Sequence, residues 1–137
     1  MKKKSFVGAW KLISGEVRDA DNKVFDLFGS DFVGYQMHTA EGYFCFHMKV
    51  NRMPEGLGAE YWEAVGGNVL SSFGRYTVEG NVITYHVRFN STVKLLGDGT
   101  VDHGFKVTGD TLELTAVYDL SSCKAARIRA IWQRIND

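Results

Sequence analysis

Through most of the chain apolar and polar residues alternate with a period of two, as in "YFCFHMKV" at 43–50 and "VITYHVRF" at 82–89. Such alternation reads as half-buried β-strand. Runs of this kind, rich in valine, threonine and aromatic residues, predict eight strands: Phe6 to Val17, Val33 to Thr39, Tyr43 to Val50, Phe73 to Val78, Val82 to Phe89, Val101 to Thr108, Thr111 to Tyr118 and Ala125 to Arg134. The connections "TAEGY", "VEGNV" and "TGDT" are turn signals too short for a crossover helix, so consecutive strands are antiparallel neighbours. An open sheet of this size leaves two unpaired edges, and closure into an up-and-down barrel removes them while leaving room inside for one small ligand. The expected fold is therefore all-β: an eight-stranded antiparallel barrel in a single domain spanning residues 1–137.

Two segments depart from the alternation. "GAEYWEAVGGNVLSSF" at 58–73 places Tyr61, Val65 and Val69 at intervals of four, the stripe of one short helix. Gly66 and Gly67 weaken that helix by about 1 kcal/mol each relative to alanine. It either plugs one barrel end or acts as a lid over a mouth. The connection "DADNKVFDLFGSD" at 19–31 holds Val24, Phe25, Leu27 and Phe28, too apolar a set to hang free in water.

Alternation also suggests which residues face inward. In the third predicted strand Phe44, Phe46, Met48 and Val50 form the apolar set, opposite Tyr43, Cys45, His47 and Lys49. In the fifth, Ile83, Tyr85, Val87 and Phe89 oppose Thr84, His86 and Arg88. The apolar sets are the natural inner faces, which leaves the outer faces polar and without an apolar patch for a protein partner.

Composition narrows the partner. The chain has 16 Lys and Arg against 16 Asp and Glu, so no net field draws nucleic acid or an anionic membrane. No apolar run is long enough to span a bilayer, and the basic start at Lys2 to Lys4 is not followed by the apolar core of a signal peptide. A cytoplasmic protein is expected. Cys45 and Cys123 lack metal-site or redox spacing and read as free thiols.

The two ends of the chain carry a more specific signal. Gly8, Trp10 and Leu12 share one face of the first strand, and Ala130, Trp132 and Arg134 share one face of the last. If these strands pair, Arg134 lies over the Trp10 ring, with Gly8 leaving space beside the indole. This glycine–tryptophan start with an arginine in the final strand resembles the lipocalin and calycin signature. More narrowly, "FVGAWKLIS", "DLFGSDFVGYQMHTAEGYFCFHM", "FGRYTVEGNVITYHVRF", "VTGDTLELTA" and "IWQRI" in that order resemble the lipocalin-like domain family of small stand-alone barrels. A proline often found in the loop before Gly29 is absent, and the family's usual tyrosine–threonine pair before the second hairpin reads His38 and Thr39. The resemblance implies a barrel holding a small hydrophobic molecule, and some similar barrels act as cofactor-free cyclases or isomerases in natural-product pathways.

Candidate ligand contacts are Trp10, Phe44, Phe46, Met48, Tyr85 and Val87, joined by Tyr118, Arg129 and Trp132 on the later strands. Tyr61 and Trp62 of the predicted helix would complete the wall. For proton transfer the candidates are Tyr85, Glu16 and Tyr35, read as inward, with Glu16 on the face of Trp10 and Ser14 and His38 near a mouth. A core tyrosine bonded to the backbone is the plainer reading of Tyr85, and a solvated strand end that of Glu16. His38, His47, His86 and His103 fall on four strands without ligand spacing, so no metal and no cofactor are expected. The sequence thus points to a binder of a mostly hydrophobic molecule, monomeric or homodimeric. A cofactor-independent cyclase or isomerase is the alternative, since such chemistry needs few motif residues.

Overall fold

The structure is a computed structural model that describes residues 5–18, 21–26, 28–52, 69–91, 99–120 and 124–136. Its strands are β1 (Gly8–Arg18), β2 (Val24–Asp26), β3 (Phe32–His38), β4 (Tyr43–Val50), β5 (Val69–Glu79), β6 (Val82–Asn90), β7 (Thr100–Thr108), β8 (Thr111–Leu120) and β9 (Lys124–Arg134). All neighbours are antiparallel, and β3 to β9 follow one another around the wall in chain order. Pairing of β1 with β9, from Trp10 opposite Arg134 to Arg18 opposite Arg127, closes an eight-stranded barrel. The three-residue β2, which the alternation does not reveal, pairs with Glu16 to Arg18 on the edge of β1 whose other end pairs with β3. Of the predicted helix at 58–73, residues 58–68 lie outside the described residues, and Val69 to Phe73 are strand, so β5 begins earlier than expected.

Three tight hairpins share one end of the barrel. In two of them Gly80 and Gly109 take positive φ of 59° and 60° at the first central position, where a side chain would be strained. The same end is sealed by side chains. The Arg134 guanidinium lies 4.3 Å above the Trp10 ring and donates to the carbonyls of Val7 at 2.8 Å and Ser5 at 2.5 Å. Gly8, at φ 127°, gives up the space this needs, since a Cβ there would stand 3.0 Å from the guanidinium. Trp10 donates its indole N–H to the Phe6 carbonyl at 2.9 Å, and the Phe6 ring meets His38, Tyr76 and Phe105 edge-on.

At the opposite mouth Phe28 is buried against the core and packs on Phe32 at 5.5 Å, so the apolar connection before β3 does fold inward. The Asp26 carboxylate holds its turn by accepting from the Phe28 and Gly29 amides.

Two bulges set which residues enter the barrel. Ile13 is the extra residue between Leu12 and Ser14 in β1, and Arg88 is the extra residue opposite the Phe73–Gly74 step. A bulge shifts the alternation by one. Beyond Ile13, therefore, Gly15 and Val17 pair with inward Ala130 and Ile128, and Glu16 turns out. Beyond Arg88, Phe89 turns out to 58% exposure, against its expected inner place.

If the Arg134 stack holds the ends together, Arg134→Ala lowers the unfolding free energy by about 2–3 kcal/mol, the sum of a partly desolvated cation–π contact and lost hydrogen bonds. Arg129→Ala, which removes an exposed pair with Glu113, costs less than about 1 kcal/mol. Urea denaturation of the two variants checks this, and equal losses would show that the stack is not what closes the barrel.

Candidate functional site

Among the described residues the inner wall is mostly apolar, and its polar side chains gather chiefly on one strand. β3 sends Phe32, Gly34, Gln36 and His38 inward and leaves Val33, Tyr35 and Met37 at 39%, 45% and 46% exposure. This inverts the rule that the apolar set faces in. The cause is register: the 39–42 turn pairs His38 with Phe44 and Gln36 with Phe46, and cross-strand partners share a face. His38 and Gln36 are 1% and 4% exposed, and Ser72 of β5 is buried with them.

His38 sits deep at the closed end rather than near a mouth, and its Nε2 is hydrogen-bonded to the Tyr85 hydroxyl at 2.8 Å. The Tyr85 ring lies between two imidazoles, 5.8 Å from His38 and 5.2 Å from His103, with Phe44 edge-on at 4.6 Å. Of the four histidines on four strands, closure brings two, from β3 and β7, to one tyrosine. Burial pushes the His38 imidazole down to about 4, with His103 adding to the effect. Burial likewise lowers His103 to about 4, partly opposed by the Asp102 charge. Both rings are neutral at pH 7. Tyr76, pushed up by burial and by the Glu41 charge, donates its hydroxyl to the Thr39 carbonyl below them.

Three nitrogens on this wall, Gln36 Nε2, His38 Nδ1 and Trp132 Nε1, are buried with no hydrogen-bond partner among the described residues. Buried polar groups in folded proteins are paired in nine cases of ten or more, by protein, water or ligand.

Of the residues expected at the site, Trp10, Phe44, Met48, Tyr85 and Trp132 are buried in the core, and Phe46 and Val87 pack partly buried against it. Tyr35 faces outward and has no place in the interior. Glu16 and Arg129 also lie outside, opposite each other on β1 and β9, because the Ile13 bulge rotates Glu16 away from the Trp10 face. Arg129 is ion-paired there with Glu113, and the Glu113 and Glu16 charges raise its pKa further. Tyr61 and Trp62 lie outside the described residues, as does the side chain of Tyr118. The sequence does not single out Gln36 or Ser72, and it raises His103 only as a metal ligand. The register of the first hairpin would have revealed Gln36, since it carries the inward assignment of Phe46 across to β3.

The outer wall is less polar than alternation suggests. Met37, Cys45, Phe73 and Phe89 are successive cross-strand partners over β3 to β6, and Tyr43 stacks on Phe73 at 6.2 Å. Cys45 is a free thiol in that row, while Cys123 lies outside the described residues. Among the described residues no three metal-ligating side chains gather, and no helix is long and apolar enough to cross a membrane.

A family model described as a lipocalin-like domain matches residues 7–135. No curated protein matches in sequence. Among solved structures, an uncharacterized protein from Bacteroides eggerthii superposes with a TM-score of 0.51 at 12% identity, over 96% of this chain and 100% of that one. Rv2717c from M. tuberculosis gives a TM-score of 0.44 at 12% identity, over 96% and 93% of the two chains. The first of these likenesses is one of fold.

The buried imidazoles make stability depend on pH. The unfolded chain protonates both rings below about pH 6.5, whereas the fold keeps them neutral down to about 4. Between those values the unfolded state holds about two more protons. Stability is thus fully present above pH 6.5 and falls toward pH 4, by about 1.4 kcal/mol per pH unit for each proton. His38→Gln and His103→Gln should each reduce the slope of unfolding free energy against pH by about one proton, as read from denaturation at pH 5 to 7. Unchanged slopes would mean that the rings are not kept neutral.

Proposed function

The chain belongs to the lipocalin-like domain family, and from that membership we propose that it binds one small, mostly hydrophobic molecule inside its barrel. A lipocalin-like barrel suggests ligand binding in general, because eight closed strands leave an interior of about one small ligand's width. The observation that carries the finer reading is the chemistry of the wall: a mostly apolar lining in which Gln36 Nε2, His38 Nδ1 and Trp132 Nε1 are buried without a hydrogen-bond partner among the described residues. A few placed polar groups on an apolar wall are what orients a ligand. The same proposal places the protein in the cytoplasm, which the free thiol of Cys45 supports, acting as a monomer or homodimer with no nucleic-acid or membrane partner.

Titration with Nile red, a neutral apolar dye, is expected to saturate at one site per chain and to quench tryptophan fluorescence. Ala130→Phe, which fills the inner wall beside Trp132, should abolish this binding while circular dichroism stays unchanged. Tyr35→Ser on the outer wall should leave it intact. Unsaturable binding, or equal binding to a folded Ala130→Phe variant, would overturn the reading.

The second reading, a cofactor-independent cyclase or isomerase, is favoured by one contact. The hydrogen bond between the neutral His38 imidazole and the Tyr85 hydroxyl forms an acid–base pair in a desolvated interior, an arrangement worth about 10²- to 10⁴-fold in rate when it moves a proton. With a substrate in hand, Tyr85→Phe should cost about 100-fold or more in turnover, while Tyr35→Phe and Glu16→Gln, both outside the barrel, cost nothing. Full activity in Tyr85→Phe removes this reading.

A further inference from the structure

Trp10 and Trp132 both stand on the inner wall, yet their indoles differ. The Trp10 N–H is spent on the Phe6 carbonyl. The Trp132 N–H, on a side chain only 2% exposed, meets no acceptor among the described residues. An indole nitrogen donates and never accepts, so the group that pairs with Trp132 must be an acceptor.

Gln36 offers a second donor in the same region. It is 4% exposed, and its Nε2 is likewise without a partner among the described residues. Phe46 links the two: it is the register partner of Gln36, and its ring meets Trp132 edge-on at 5.9 Å. Around them Leu12 and Leu112, the cross-strand partners of Trp132, are fully buried apolar groups.

The charge of that acceptor is constrained by the cations among the described residues. Arg134 is occupied at the closed end by Trp10 and two carbonyls, Arg129 faces outward toward Glu113, and both interior imidazoles are neutral. A carboxylate beside Trp132 would be buried without a counter-charge among the described residues, a cost of several kcal/mol. A neutral carbonyl oxygen has two lone pairs for two N–H donors and incurs no such cost.

We propose that the ligand of this barrel is a neutral, mostly apolar molecule with a carbonyl group, whose oxygen accepts hydrogen bonds from Trp132 Nε1 and Gln36 Nε2. The proposal rests on the reading of the interior as a ligand site and adds the ligand's functional group. One hydrogen-bonded carbonyl oriented in an apolar barrel also fixes the direction in which the rest of the molecule enters.

The test uses three probes of similar shape on the full chain: 2-acetylnaphthalene, 2-isopropylnaphthalene and 2-naphthoate. Affinities for wild type, Gln36→Leu and Trp132→Phe are compared by calorimetry. The side-chain N–H resonance of Trp132, assigned from its loss in Trp132→Phe, is followed on titration. Because the hydrocarbon leaves water more readily than the ketone, the deciding quantity is the change between wild type and variant for each probe. The ketone should weaken about fivefold or more in each variant, the hydrocarbon should not weaken, the Trp132 N–H resonance should move with the ketone only, and naphthoate should bind worse than the ketone to wild type. Equal effects of the substitutions on ketone and hydrocarbon, or naphthoate binding best, would overturn the proposal while leaving the interior a ligand site. If none of the three probes binds, both the proposal and the reading beneath it fall. Should Trp132→Phe fail to fold, Gln36→Leu with the ketone and the hydrocarbon decides the matter.

Discussion

The guanidinium of Arg134 over the ring of Trp10 joins the last strand to the first, and the character of the interior depends on that junction. A meander of eight strands can remain an open, edge-exposed sheet or close on itself. Here the closing strand brings its own clamp. Arg134 reaches past Trp10 to the carbonyls of Ser5 and Val7, which holds the residues before β1 across the barrel floor and seats Phe6 among His38, Tyr76 and Phe105. The floor is therefore made of aromatic rings, and the polar groups above it lie in a desolvated space.

That desolvation gives the interior its chemistry. An imidazole in water is half-charged near pH 6.5, but burial in the closed wall pushes His38 and His103 toward the neutral form, opposed only in part at His103 by the Asp102 charge. On the proposed reading, the buried imidazole, amide and indole groups would orient a ligand by hydrogen-bonding direction alone, choosing among molecules by where their acceptors lie along an apolar body. It also explains why the wall can carry this many polar atoms without unfolding: each is held by packing, and only a few nitrogens remain to be paired from inside.

Much of the architecture was legible in the sequence, because period-two alternation and short glycine turns are local signals. The strands from Tyr43 to Val50 and from Val82 to Phe89 read directly, and Gly8, Trp10 and Arg134 announced the closure. What did not read were the features that arise only from pairing. The bulges at Ile13 and Arg88 leave no compositional mark, yet they carry Glu16 and Phe89 to the outer wall. On β3 an apolar set of Val33, Tyr35 and Met37 competes with Gln36 and His38 for the interior, and hairpin register rather than hydrophobicity decides the contest. The local rule fails at the strand that supplies the polar groups of the candidate site. The place of His103 beside Tyr85 did not read for a different reason: only a closed wall brings β7 within reach of β3 through Tyr85.

The most direct measurement is native mass spectrometry of the protein purified from its own cells, followed by denaturing extraction and identification of whatever was bound. A neutral, mostly apolar molecule bearing a carbonyl group, present at one per chain and lost on unfolding, is the predicted result. A charged metabolite at that stoichiometry, or a protein that carries nothing and takes up no apolar molecule on incubation, would contradict it.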